Sequence, residues 1–87
     1  MSVTKEAIVK SATGLHARPA TGLVEVAINY QSDIVLESGE KSFDPKEIMD
    51  VLNADINCGD NIKITASGAD EEEAATNIAD YINTTEG

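Results

Sequence analysis

Gly14-Leu15-His16-Ala17-Arg18-Pro19-Ala20 opens a helix. Proline is tolerated in the first helical turn, where backbone N–H groups lack an intrahelical acceptor in any case. From Ala20 the apolar residues Leu23, Val24, Ala27 and Ile28 follow at the i, i+3, i+4, i+7, i+8 spacing of an amphipathic helix with one core-facing stripe. Proline preference alone makes Pro19 the first helical residue, whereas reading His16 as the N-cap starts the helix two residues earlier. Under both readings the N–H groups of Ala17 and Arg18 are free at the positive end of the helix dipole. Such an end attracts anions, and the Arg18 guanidinium adds a fork of donors suited to phosphate. His16 is the single histidine of the chain. A neutral imidazole is a nucleophile, and a phosphoryl group placed on it would sit among these donors. Taken alone, a histidine at a helix start is more often a cap or a surface residue, so the stretch has to be read with the rest of the chain.

Upstream, Val3 to Lys10 reads as a strand, with Lys5, Ala7 and Val9 alternating against Glu6, Ile8 and Lys10, and Ile8 breaking the pattern. Ser11 to Gly14 is the loop that delivers His16, and Tyr30-Gln31-Ser32 closes the helix. Asp33 to Ser38 is a second strand with Ile34 and Leu36 inward, and Ser38-Gly39-Glu40 turns into a third, Lys41 to Asp44. Pro45 ends that strand because it has no N–H for the ladder, and a short helix runs from about Lys46 to Asn53. Ile48, Met49, Val51 and Leu52 crowd that helix with more apolar residues than one stripe uses. They suit either an exposed docking patch or a helix buried on all sides. Asn61 to Ser67 alternates cleanly, with Ile62, Ile64 and Ala66 on one face. Asp70 followed by Glu73 has the spacing of a capping box, and Ala75, Ile78, Ala79 and Ile82 form the inward stripe of a last helix. Glu71 to Glu73 suit the helix dipole there, which makes the acidic run a helix start and not a metal site. The order βαββαβα describes an α+β protein with helices on one face of an antiparallel sheet.

A chain of 87 residues is read as one domain, residues 1–87, able to bury roughly 60–65% of its unfolded surface. Sixteen acidic against six basic residues give a formal net charge of −10, which argues against binding nucleic acid or an anionic membrane face. Cys58 is the single cysteine, so neither an intrachain disulfide nor a cysteine-based zinc cluster can form. No metal or cofactor is expected. No apolar stretch has the length of a signal peptide or a membrane span, and a cytoplasmic location without membrane insertion is the expectation.

The seven residues from Gly14 to Ala20 resemble the active-site signature of the HPr family, the histidine-containing phosphocarriers of the sugar phosphotransferase system. Lys46-Glu47-Ile48-Met49, the segment Ala66-Ser67-Gly68-Ala69-Asp70 and the chain length resemble the family in the same relative positions. The resemblance implies an open-faced two-layer sandwich with strand order 1-4-2-3. It also implies that His16 takes a phosphoryl group on Nδ1 from phosphorylated enzyme I, itself charged from phosphoenolpyruvate. The group then passes to the A components of sugar permeases, with Arg18 and the Ala17 and Arg18 N–H groups binding phosphate. Ile48, Met49 and Leu52 correspond to the family's partner-docking patch. Such a protein is a carrier, expected as a monomer, with no independent catalytic activity. Three positions depart from the pattern: Glu47 stands at the regulatory serine of many relatives, and Asp50 and Asp55 replace glycines. The short helix thereby carries three acidic residues. Glu47 cannot be phosphorylated, and its charge partly imitates phosphoserine. The alternative reading is thus an HPr-like adaptor that binds a transcriptional regulator or a metabolic enzyme. A more distant one is a small ligand-binding domain that shares only the topology.

Overall fold

The computed structural model describes residues 2–85. Its elements are β1 (Val3–Ile8), α1 (Ala17–Ala27), β2 (Asp33–Ser38), β3 (Lys41–Phe43), α2 (Ile48–Asn53), β4 (Asn61–Ser67) and α3 (Glu71–Thr84). The four strands form one antiparallel sheet in the order β1-β4-β2-β3. β4 is central, pairing Ala7 with Ile62 on one side and Leu36 with Ile64 on the other. That register puts Ala7, Ile34, Leu36, Ile62, Ile64 and Ala66 on one buried face, against Leu23 and Ala27 of α1, Val51 of α2 and Ile78 and Ile82 of α3. Glu6, Ile8, Val35, Glu37 and Lys63 occupy the other face and are exposed, as period-two alternation requires of a half-covered sheet. Among the described residues no helix is long and apolar enough to cross a membrane.

Several elements are shorter than the patterns imply. β1 stops at Ile8 and not Lys10, because Val9 leaves the ladder to pair with the loop before β4: its N–H donates to Asp60 O (3.0 Å) and its carbonyl accepts from Gly59 N (2.8 Å). Ile8 lies on the open face, 45% exposed, which is why it broke the apolar alternation. α1 ends at Ala27 with Ile28 as C-cap, well before Tyr30, so Ile28 leaves the stripe and is exposed while Val24 is only half-buried. β3 ends at Phe43, one residue before Asp44. α2 begins at Ile48 with Glu47 as an extended N-cap, so of the three expected acidic residues only Asp50 is helical, and Asp55 lies beyond the C-cap Ala54. The Asp50 carboxylate instead accepts from Asp44 N at 2.6 Å and closes the turn around Pro45. α2 is neither wholly buried nor wholly free: Val51 is buried, Leu52 is half-buried, and Ile48 and Met49 are exposed.

The capping box at Asp70 does not form. Asp70 is the N-cap of α3, but its side chain makes no cap hydrogen bond. Its carboxylate accepts from the Gln31 N–H (2.9 Å), the Ser32 N–H (3.0 Å) and the Ser32 hydroxyl, three donors from the loop after α1 that outcompete the helix end. Lys46 Nζ donates to the carbonyls of Tyr30 and Ser32 in the same loop, 2.9 and 2.8 Å away. The Ser32 hydroxyl and then the Gln31 N–H hold the Asp70 carboxyl below its ordinary value of 3.8. A carboxylate lowered on folding stabilises the native state above its unfolded value, and that stabilisation is lost as pH falls through the folded value. Asp70→Asn should therefore melt at a lower temperature than the parent at about pH 7, and the gap should be narrower at about pH 2. Thermal melts showing the same gap at both values would remove the carboxylate from the loop's stability.

Candidate functional site

Two loops build the site. The first, residues 9–16, runs from β1 to α1; the second, residues 54–60, runs from α2 to β4. The N–H of Leu15 donates to Ile56 O at 2.9 Å, and both residues are fully buried. Gly14 sits against this crossing with φ +74, and a Cβ there would lie 2.1 Å from Ile56 O and 2.8 Å from Asn57 Cα. Only glycine combines that left-handed backbone with so close an approach. The second loop is braced by Asn57 N donating to Asp60 Oδ2 (2.9 Å) and by Lys41 Nζ donating to Asp55 O (3.2 Å).

His16 follows as the N-cap of α1, with extended backbone (φ −126, ψ 160) and no side-chain cap hydrogen bond. Of the two helix starts the residues allow, the structure has the earlier. Pro19 is therefore the third helical residue, buried, and its carbonyl accepts from the Tyr81 hydroxyl at 3.0 Å, which ties the first turn of α1 to α3. Ala17 has φ 51, left-handed for a residue with a Cβ, which costs about 1–2 kcal/mol. The fixed crossing at Leu15 and the buried Pro19 and Ala20 hold it there. Arg18 is exposed, and among the described residues its guanidinium has no partner. The His16 side chain is 34% exposed, and its Nε2 lies 3.1 Å from Asp55 Oδ1. A carboxylate only accepts, so a neutral ring in this contact carries its proton on Nε2 and its lone pair on Nδ1. The arrangement is thus a part-exposed imidazole at the start of α1, beside the Ala17 and Arg18 N–H groups and a guanidinium that have no partner among the described residues, and among those residues no group of His, Cys, Asp and Glu could hold a metal.

Residues 3–84 match the model of the family described as PTS HPr component phosphorylation site. The chain belongs to the HPr family. It is 41% identical over 80 residues to the phosphocarrier protein HPr of Borreliella burgdorferi, covering 92% of this chain and 93% of the relative. The crystal structure of HPr from Bacillus anthracis superposes with a TM-score of 0.88 at 37% identity, covering 93% of this chain and 96% of the other. A structure described as an HPr dimer from Thermoanaerobacter tengcongensis gives a TM-score of 0.72 at 39% identity, with 85% of each chain covered. The two-layer fold with order 1-4-2-3 is the fold of these HPr structures, and HPr proteins are phosphocarriers.

Residues pointed out by the HPr resemblance lie in two places. His16, Ala17 and Arg18 share the start of α1, whereas Ile48, Met49 and Leu52 lie on α2, which packs against α1 and whose C-cap runs directly into Asp55. Glu47 is exposed at the other end of α2 and makes no cap hydrogen bond. Asp55 is the contact that residue patterns missed. Thirty-nine positions separate it from His16, and nothing in the run Asn53-Ala54-Asp55-Ile56 signals that its side chain returns to the histidine.

Proposed function

We propose that this protein carries a phosphoryl group on His16 Nδ1, accepting it from phosphorylated enzyme I and donating it to the A components of sugar permeases. The observation that carries the reading is the accessible histidine at the N-cap of α1, within a chain that matches the family along nearly its whole length. Attack on phosphorus needs the Nδ1 lone pair, which the Asp55 contact at Nε2 leaves free. The arriving phosphoryl oxygens are anionic, and the Ala17 and Arg18 N–H groups, the α1 dipole and the Arg18 guanidinium all favour negative charge at that point. A carrier must also give the group up. Moderate stabilisation on an exposed ring suits that better than a deep pocket, with the partner completing the transfer geometry. No catalytic activity of its own, no cofactor and no metal belong to this reading. The 87 residues act as one domain in the cytoplasm, as a monomer. The adaptor alternative has no use for a nucleophile, so the accessible His16 favours the carrier. Glu47, which no kinase can phosphorylate, removes seryl regulation at that position. Incubation with phosphoenolpyruvate and enzyme I from the same source, followed by intact-mass measurement, tests the proposal.

Docking would use α2. Met49 is 62% exposed and Ile48 37%, with Leu52 half-buried beside them, an apolar surface on the helix whose end meets the site. Met49 adds little to the core, so Met49→Ala should lower the melting temperature by only a degree or so while weakening enzyme I binding by about tenfold. Calorimetric titration that finds equal affinity for the parent and Met49→Ala would remove Met49 from the interface.

A further inference from the structure

We propose that Asp55 is a positioning residue for His16, holding the imidazole with its proton on Nε2 so that phosphoryl transfer runs through Nδ1. This deepens the carrier reading and rests on it. The backbone brings the two groups together. The Leu15 N–H to Ile56 O bond joins the two loops one residue away on each strand of the crossing, so His16 and Asp55 are the next pair along it. Asp55 is itself fixed, its N–H donating to Leu52 O at 3.2 Å and its carbonyl accepting from Lys41 Nζ. Its φ of 53 lies in the left-handed region, which glycine, asparagine and aspartate enter most readily. Of these, aspartate brings a charged acceptor to the ring: Oδ1 lies 3.1 Å from Nε2.

The consequence for transfer follows from the electron count. The Nδ1 lone pair forms the new N–P bond, and the bond from phosphorus to the donor's leaving atom breaks, its electron pair staying with the donor. The Nε2 proton does not move. The phosphorylated ring therefore carries a positive charge, which the Asp55 carboxylate offsets across the same 3.1 Å contact. When the group is donated onward, the N–P pair returns to Nδ1 and the ring is again neutral with its proton on Nε2. The carboxylate thus holds the ring in one orientation through the cycle and balances the charge that appears on it.

Both side chains are partly exposed, His16 at 34% and Asp55 at 70%, so the effect on rate is that of a screened pair, about two- to fivefold. The test compares the parent with Asp55→Gly, which accepts the left-handed backbone without strain, and Asp55→Asn, which keeps an oxygen acceptor but no charge. In the unphosphorylated parent, nitrogen-resolved proton NMR should show a His16 Nε2–H signal protected from exchange with water. Asp55→Gly should lose that protection and take up phosphoryl from enzyme I two- to fivefold more slowly, with Asp55→Asn between the two. Equal protection in parent and Asp55→Gly overturns the proposal, as does lost protection with an unchanged transfer rate. A parent that takes up no phosphoryl at all overturns the carrier reading and the positioning role with it. The NMR signal, measured without any donor, separates that failure from a failure of the pair itself.

Discussion

His16→Ala is expected to abolish phosphoryl uptake from enzyme I while leaving the fold intact. His16 is the single histidine, and its side chain reaches out of the N-cap instead of into the core, so alanine removes the nucleophile and little packing. The N-cap contribution of the ring is also small, because it makes no cap hydrogen bond. The adduct on the parent protein should be acid-labile and base-stable, the behaviour of a phosphoramidate and not of a phosphoserine or an acyl phosphate. Intact mass after incubation with phosphoenolpyruvate and the cognate enzyme I reads both properties. An adduct that survives in His16→Ala would sink the assignment of the acceptor. Arg18→Ala supplies the graded counterpart. Its guanidinium has no partner among the described residues, so its removal leaves no broken contact in the free protein and any loss belongs to the phosphoryl group. One charge-assisted contact corresponds to transfer slowed by about tenfold or more, with the adduct still formed. Transfer at the parent rate would leave the guanidinium without a role.

How far such a site can be read from residues alone depends on the range of the interaction. β4 was legible because Ile62, Ile64 and Ala66 alternate with polar residues and their inner positions are all buried. α3 was legible for the same reason at a different period, Ala75, Ile78, Ala79 and Ile82 all facing the core. The start of α1 came from local stereochemistry, since the tolerance of the first turn for Pro19 and the cap at His16 are properties of neighbouring residues. The strand order came from family resemblance, as the alternation of a strand says which face is buried but not which strand lies beside it. Interactions between distant segments left no local trace. Asp70 had the local spacing of a capping box, yet its carboxylate is committed to Gln31 and Ser32, thirty-nine and thirty-eight residues earlier. Asp55 looked like one more acid on a short helix, and its left-handed turn after Ala54 takes it off that helix and to His16. In both cases an acidic residue read as part of its own helix instead ties that segment to a distant loop. The apolar excess of α2 was visible, but which of its residues would be free was not. That division depends on α2 packing against α1, which buries Val51 and leaves Met49 outside.

The same crossing of loops sets the largest expected effect on stability, at Gly14. Gly14→Ala places a Cβ 2.1 Å from Ile56 O, 2.8 Å from Asn57 Cα and 3.0 Å from Ile56 C, all backbone atoms that cannot rotate away. The left-handed backbone alone costs a residue with a Cβ about 1–2 kcal/mol. Forcing the two loops apart adds about 1–3 kcal/mol, the range for overpacking a well-packed interior. A loss of about 2–5 kcal/mol is a large share of a small domain's stability and should lower the melting temperature by about 10 °C or more. Gly39→Ala separates the two causes. Gly39 also has a left-handed backbone, φ +60, but a Cβ there meets nothing within 4 Å, so only the conformational cost remains. Gly14→Ala should therefore melt well below Gly39→Ala. It should also lose phosphoryl transfer out of proportion to the fraction unfolded, because parting Leu15 from Ile56 draws His16 away from Asp55. Equal melting temperatures for the two variants would mean that the loops yield at the crossing, and that the close approach of Gly14 to Ile56 does not hold the histidine in place.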